Sequence, residues 1–493
     1  MNAHSSLNVL PQDCWALIID YLSFDDLLSL STTCKALHAS TEHLLYREIS
    51  WSWKALPLRR LLCLLRTILG RPDLASSVRH LSLLPAKSKW PNPYKTGWVD
   101  PGQDMNWSEE SSDFQDVTEK AVAIIKKAEF PDAEEWIDAL HNGSFHALGA
   151  VLISQLPNIV SLRLDFSFVW KGGFPGRMVK HAVFSQNNTH LSSFDSLQVV
   201  DYGGNVPRPV KSWMEFDTDY QQPDDFSTPC NRSQFIAWFY LPSIYRLEIW
   251  LRDVEELKAA PLDLSHLETL ILARSTISEE DVPFFLTRTK NLENLHLGLC
   301  HEWETQPLYE HSDCLVEGLM SISDTVERLS ISLEYHPCVH GGSDEDFQQE
   351  ESGAVLHGIF AQFPRLRTLE VPTALLFGFD AEEADLEDCS VLPETLTELV
   401  LRIELDNILG FCWGNRDINE FVTSILHNLP DSFPRLRSIV SRSHKRYYSQ
   451  DWPEEDWQMH QTCKESGIDF NIVVDHLGSG LWSQTSPIAK LYK

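Results

Sequence analysis

One pattern constrains this chain more than any other: apolar residues at i, i+3 and i+5, recurring along most of its length. It reads Val78-x-x-Leu81-x-Leu83, Ile159-x-x-Leu162-x-Leu164, Ile244-x-x-Leu247-x-Ile249 and Leu267-x-x-Leu270-x-Leu272. It continues as Leu292-x-x-Leu295-x-Leu297, Val326-x-x-Leu329-x-Ile331, Leu366-x-x-Leu369-x-Val371 and Leu396-x-x-Leu399-x-Leu401. Weaker copies sit at Leu197-x-x-Val200-x-Tyr202 and Leu436-x-x-Ile439-x-Ser441, and Phe470-x-Ile472-x-Val474 reads as the last strand. In a strand, alternation sends the second and third positions of each copy to one face and the residues between them to the other. The step from Leu270 to Leu295 is 25 residues, but the eight steps from Leu162 to Ile439 average about 35, so many repeats must carry a longer helix or an inserted loop. Helical stretches are predicted at 145–156, 281–290, 313–323, 355–363 and 418–429, several of them stopped by Pro157, Pro364 or Pro430. The expected fold is α/β: residues 74–475 form a curved solenoid, with a parallel sheet on the concave face and helices outside.

Four segments break the array. Residues 87–135 and 203–233 hold many Trp, Phe and Tyr, and are expected to fold back over the solenoid or help make its binding surface. Residues 340–353 and 379–389 are acidic and read as solvated loops. Residues 51–73 read as a linking helix and 476–493 as a tail.

Charge narrows the range of partners. Against 40 Lys+Arg stand 71 Asp+Glu, a net charge of −31, in a chain that is 43% hydrophobic and so able to build a core. A field of that sign repels phosphate backbones and anionic lipid, so neither nucleic acid nor membrane is expected as a partner. Residues 1–10 have no basic or apolar run of the secretory kind, and the apolar stretch Leu61–Leu69 is too short to span a bilayer. The ten Cys follow no disulfide framework. These features lead us to expect a cytoplasmic and/or nuclear protein.

The segment 8–50 has a different grammar. Leu10-Pro11 starts a helix, with Trp15, Ile18, Ile19 and Leu22 at helical spacing. Ser23-Phe24-Asp25-Asp26 supplies a cap with acids in the first turn of a second helix carrying Leu27, Leu28 and Leu30. Cys34-Lys35 opens a third, and Leu44-Leu45-Tyr46-Arg47 closes the unit. The order of these elements resembles an F-box over its whole length, although Gln12-Asp13 shifts by one position the acid that often follows Leu-Pro. The resemblance implies docking on the Skp-type adaptor of an SCF (Skp–cullin–F-box) ubiquitin ligase, and through it on a cullin. The implied adaptor-facing set is Leu10, Pro11, Ile18, Leu22, Leu27, Leu30, Cys34 and Lys35.

The repeats themselves are similar in layout to the degenerate leucine-rich repeats of F-box proteins abundant in filamentous fungi. That likeness implies a substrate-recognition subunit that performs no chemistry; the alternative is an interaction scaffold acting without a cullin. The period selects a stripe for a protein substrate opposite the leucines: Arg163, Asp165, Glu248, Trp250, His296, Ser330, Glu370, Arg402 and Glu404. The competing location is the insertions around Trp90–Trp107 and Trp213–Phe226. No phosphate-binding loop, dinucleotide fingerprint, zinc-protease helix or nucleophile elbow appears. Cys300-His301 with His311 and Cys314 has zinc-like ligand types at a spacing that fits no standard tetrahedral site, so no metal or cofactor is expected. The basic run Arg435 to Arg446 reads first as a solvated edge.

Overall fold

The computed structural model describes residues 12–53, 56–85, 112–185, 190–206, 231–259, 261–302, 311–336, 354–403, 413–429, 431–443 and 454–474. Three helices open it: Gln12–Asp20 (α1), Phe24–Ser31 (α2) and Lys35–Leu45 (α3). Ser23 caps α2 as its sequence requires. Its hydroxyl accepts from the Asp26 amide at 3.2 Å, and the Asp26 carboxylate accepts from the Ser23 amide at 3.1 Å.

Strand Glu48–Trp53 (β1) follows at once and pairs in parallel with His80–Pro85 (β2), placing Ile49 opposite Leu81 and Trp51 opposite Leu83. The sheet therefore starts at residue 48 rather than at 74. Helices Leu58–Gly70 (α4) and Pro72–Ala75 (α5) are the crossover that a parallel pair needs, not a linker outside the array. Leu58, Leu61, Leu62, Leu65 and Ile68 form the buried stripe of α4. Ser112–Lys127 (α6), Ala133–His141 (α7) and Phe145–Ser154 (α8) then lead to Ser161–Leu164 (β3), Ser167–Trp170 (α9) and Phe174–Phe184 (α10). The expected insertion at 87–135 is thus helical from residue 112, with Val117, Ala121, Val122 and Ile125 buried along one side. Residues 86–111 lie outside the described ones.

The described residues divide into two compact units: 12–85, 112–163 and 178–198 in the first, 164–177 and 199–474 in the second. In the first, β1, β2 and β3 are neighbours in that order. The second carries Val199–Tyr202 (β4), Arg246–Ile249 (β5), Thr269–Ser275 (β6), Asn294–Glu302 (β7) and Arg328–His336 (β8). Thr368–Pro372 (β9), Glu398–Ile403 (β10), Ser438–Ser443 (β11) and Asp469–Val474 (β12) complete it. These strands lie side by side in sequence order, each parallel to the next. Between them run Glu255–Lys258 (α11), Val282–Leu286 (α12), Ser312–Met320 (α13), Thr373–Phe377 (α14), Asn415–His427 (α15) and Glu454–Glu465 (α16).

One register row crosses this whole sheet: Val200, Leu247, Leu270, Leu295, Leu329, Leu369, Leu399, Ile439 and Phe470. None of them is more than 1% exposed, and Leu162 of β3 is buried as well. Burying each such side chain contributes about 1.5–3 kcal/mol. The strand entrances repeat too. The Tyr245 carbonyl accepts from both Glu268 N and Thr269 N, Glu268 O from Glu293 N and Asn294 N, and Glu293 O from Glu327 N and Arg328 N. Glu327, Arg367 and Thr397 carbonyls do the same one repeat further on.

Three local expectations need correction. The helix predicted over 355–363 is a run of turns ending in a 3-10 turn at Phe360–Gln362, because Gly358 takes a left-handed φ of +72°. The helix predicted over 281–290 stops at Leu286. The acidic stretch 379–389 is no simple solvated loop, since Phe379, Ala381, Leu386 and Cys389 are buried in it. Residues 207–230, 337–353 and 475–493 lie outside the described ones, as does the part of the basic run beyond Ser443.

Candidate functional site

Five of the eight large apolar side chains that stand exposed among the described residues fall between positions 17 and 28: Leu17, Ile18, Tyr21, Phe24 and Leu28. Tyr21 is 88% exposed and Phe24 57%. Local structure explains why they point outward together. The capping box fixes where α2 begins and sets Phe24 at its first position, while Leu27 turns inward and is buried. The Ser23 hydroxyl donates to Asp26 at 2.6 Å and holds that carboxyl below its usual range. On α1, Trp15 and Ile19 are half-buried while Leu17 and Ile18 face solvent. A short bundle this apolar on both sides of its first helix leaves a surface that water solvates poorly.

Of the adaptor-facing set expected from sequence, Ile18, Cys34 and Lys35 are exposed, and Leu22 and Leu30 are half-buried. Leu27 is a core residue of the bundle, which corrects its placement on the outer surface. Leu10 and Pro11 lie outside the described residues. Leu17, Tyr21, Phe24 and Leu28, which the expected set did not include, are exposed beside Ile18.

The stripe opposite the leucines is arranged differently from what alternation suggested. The residues between the leucines do form a row, with Glu248 next to Ile271, Ile271 next to His296, then Ser330 and Glu370. That row is covered. Asp165, Glu248, Trp250, His296, Ser330, Glu370 and Arg402 are all buried, and Arg163 is half-buried. Glu404 lies outside the described residues. The expectation of a solvated stripe is therefore corrected: the alternation rule set the direction of these side chains, and tertiary packing then removed them from water.

Several of these buried polar groups pair with one another, which offsets part of the cost of taking them out of water. Ser330 Oγ donates to Glu370 Oε2 at 2.7 Å, so its single proton is committed, and the 2.7 Å contact with His296 Nδ1 must be a bond donated by the imidazole. Glu370 Oε1 accepts from Arg402 Nη1 at 2.8 Å and lies 3.1 Å from Arg442 Nη1; Arg402 Nη2 donates to Ser332 Oγ at 3.3 Å. Both guanidiniums thus share one carboxylate. Asp165 accepts from Ser167 Oγ at 2.5 Å and from Asn205 Nδ2 at 2.6 Å, and Asn205 Oδ1 in turn accepts from Phe166 N. Trp250 packs edge-on against Phe166 and Phe235 at 5.3 and 5.9 Å, as a core aromatic rather than an exposed anchor.

Among the described residues no group of three or more His, Cys, Asp or Glu could hold a metal ion, and no helix is long and apolar enough to cross a membrane. A family model for an F-box-like domain matches residues 7–51, and one for a leucine-rich repeat domain matches residues 55–196. The chain combines an F-box with leucine-rich repeats. No curated protein and no solved structure matches it. The leucine row of β4 to β12 carries the repeat geometry well past residue 196, where the family match ends. Both domains are protein-interaction domains, which points to a role in protein recognition.

Proposed function

We propose that this F-box protein is the substrate-recognition subunit of an SCF ubiquitin ligase, with its F-box on the Skp-type adaptor and its repeat domain on a protein client. The observation that carries this reading is the exposed apolar group Leu17, Ile18, Tyr21, Phe24 and Leu28 inside the F-box match. Apolar anchors of that size dominate the energy of helix-in-groove interfaces. Such a subunit forms and breaks no bond itself; it raises the effective concentration of client lysines beside the ubiquitin-charged enzyme. The seven described cysteines are all free thiols, which suits a reducing cytoplasm or nucleus. Because the polar row is buried, client recognition falls to other surfaces of the repeat domain.

Calorimetry of the full chain with a Skp-type adaptor tests the reading. The Tyr21→Ser, Phe24→Ser double variant is expected to weaken binding by about 2–4 kcal/mol at unchanged melting temperature. Unchanged affinity overturns the docking surface. Adaptor binding that never brings a cullin with it would favour the scaffold reading instead.

A further inference from the structure

Residues 1–34 contain Asp13, Asp20, Asp25 and Asp26 but no Lys or Arg, and Ser23 stands among these acids. Asp25 and Asp26 follow it at two and three positions. Among the described residues, Ser23 is the one exposed Ser or Thr with carboxylates at both of those places. Its backbone is extended, with φ −69° and ψ 166°, just before α2 begins. The hydroxyl belongs to the cap: it donates to Asp26 Oδ2 at 2.6 Å and accepts from Asp26 N at 3.2 Å. Phe24 follows Ser23 directly and Tyr21 precedes it by two, and both belong to the exposed apolar face. A group added to Ser23 Oγ therefore lands inside that face.

We propose that Ser23 is a phosphorylation site for an acid-directed serine kinase, and that its phosphate turns off docking through the surrounding apolar face. A kinase with a basic substrate groove reads carboxylates just after the target hydroxyl by charge complementarity. In the transfer, Ser23 Oγ bonds to the γ-phosphorus of a nucleoside triphosphate, the bond to the bridging oxygen breaks, and the nucleoside diphosphate leaves. The hydroxyl proton goes to the kinase's catalytic carboxylate. The consequence for this chain follows from charge. A phosphoserine carries about −1.5 to −2 at neutral pH, and the proton it lacks is the one that bonded Asp26. That carboxylate then faces a dianion, and the reciprocal cap opens. The N-terminus of α2 favours a nearby anion, but Asp25 and Asp26 already occupy its first turn, and the first Lys is Lys35. A phosphate also holds water that an apolar interface has to strip away. The switch rests on the adaptor reading; the modification does not.

Two measurements on the full chain are decisive. The first maps phosphate by tandem mass spectrometry after incubation with an acid-directed serine kinase and ATP. Phosphate is expected at Ser23, appearing about fivefold or more slowly in Asp25→Asn. No phosphate at Ser23, or a rate indifferent to Asp25, overturns the site. The second is calorimetry with a Skp-type adaptor, using a chain with phosphoserine encoded at position 23. Binding is expected to weaken about tenfold or more against the unmodified chain and to recover after phosphatase treatment. Ser23→Asn keeps a capping side chain and should bind as wild type does. A phosphoserine chain that binds as tightly as the unmodified one overturns the switch. If the unmodified chain does not bind, the adaptor reading falls and the switch with it, while the mapping still decides the site.

Discussion

At the scale of single residues, Glu370 joins the buried polar groups of three other strands. It accepts from Ser330 and from Arg402 and pairs with Arg442, all buried. Glu370→Gln removes the charge that two buried guanidiniums share and is expected to cost about 3–5 kcal/mol of stability. Arg402→Ala should cost less, because Arg442 still faces Glu370; urea denaturation of the two variants reads the order. The alternation argument alone made Arg402 an exposed contact whose loss would spare the fold, and a near-silent Arg402→Ala would restore that view. His266 supplies a pH-dependent case. Its Nε2 is buried without a hydrogen-bond partner, and desolvation lowers its pKa below 6.5, with the nearby Asp263 opposing. The folded state therefore prefers the neutral ring, so its contribution is present above pH 6.5 and is lost as pH falls through the lowered value. Replacing His266 with Asn should flatten the fall in stability between about pH 7 and 5, measured by denaturant midpoints.

At the scale of elements, capping and register do most to define the fold. The second helix begins where Ser23 and Asp26 close their reciprocal bonds, and both residues could be read in advance because a cap is a local arrangement. The join between β6 and β7 could not. Their register shifts between Leu272 and Ser275, where Arg274 takes a φ of +45°, and Gly298 sits against the shift. A Cβ there would stand 2.7 Å from Leu272 O and 3.0 Å from Arg274 N, both backbone atoms. Gly298→Ala is expected to cost about 1–3 kcal/mol. Gly70→Ala, with nothing within 4 Å, should be neutral or slightly stabilising and serves as its control in thermal melts.

At the scale of the whole molecule, charge acts over the longest distances. A net −31 spread over one chain repels itself, and the Debye length falls from about 30 Å at 0.01 M salt to about 8 Å at 0.15 M. Melting temperature should therefore rise as NaCl is added over that range. The Glu370 cluster is buried and poorly screened, so Glu370→Gln should show the same salt increment as wild type. A melting temperature that falls with salt would mean that exposed ion pairs, such as Lys120 with Asp116, outweigh the self-repulsion.

The strands of the repeat domain and the three helices of the F-box were legible in the amino-acid order, because both rest on short-range periodicity. Leu247, Leu270, Leu295, Leu329, Leu369 and Leu399 lie in one buried row, as their i, i+3, i+5 spacing implies. Strand β1 was overlooked because Glu-Ile-Ser-Trp-Ser-Trp lacks the leucine pattern, although Ile49, Trp51 and Trp53 alternate as a strand requires. Periodicity decides only which way a side chain leaves the backbone. Whether the space it enters holds water depends on segments far away in sequence, and that is where Trp250, His296, Glu370 and Arg402 departed from their local reading. The same holds, in the opposite sense, for Tyr21 and Phe24: their apolar character was visible from the start, but only the packing of α1, α2 and α3 determined that nothing within the bundle covers them.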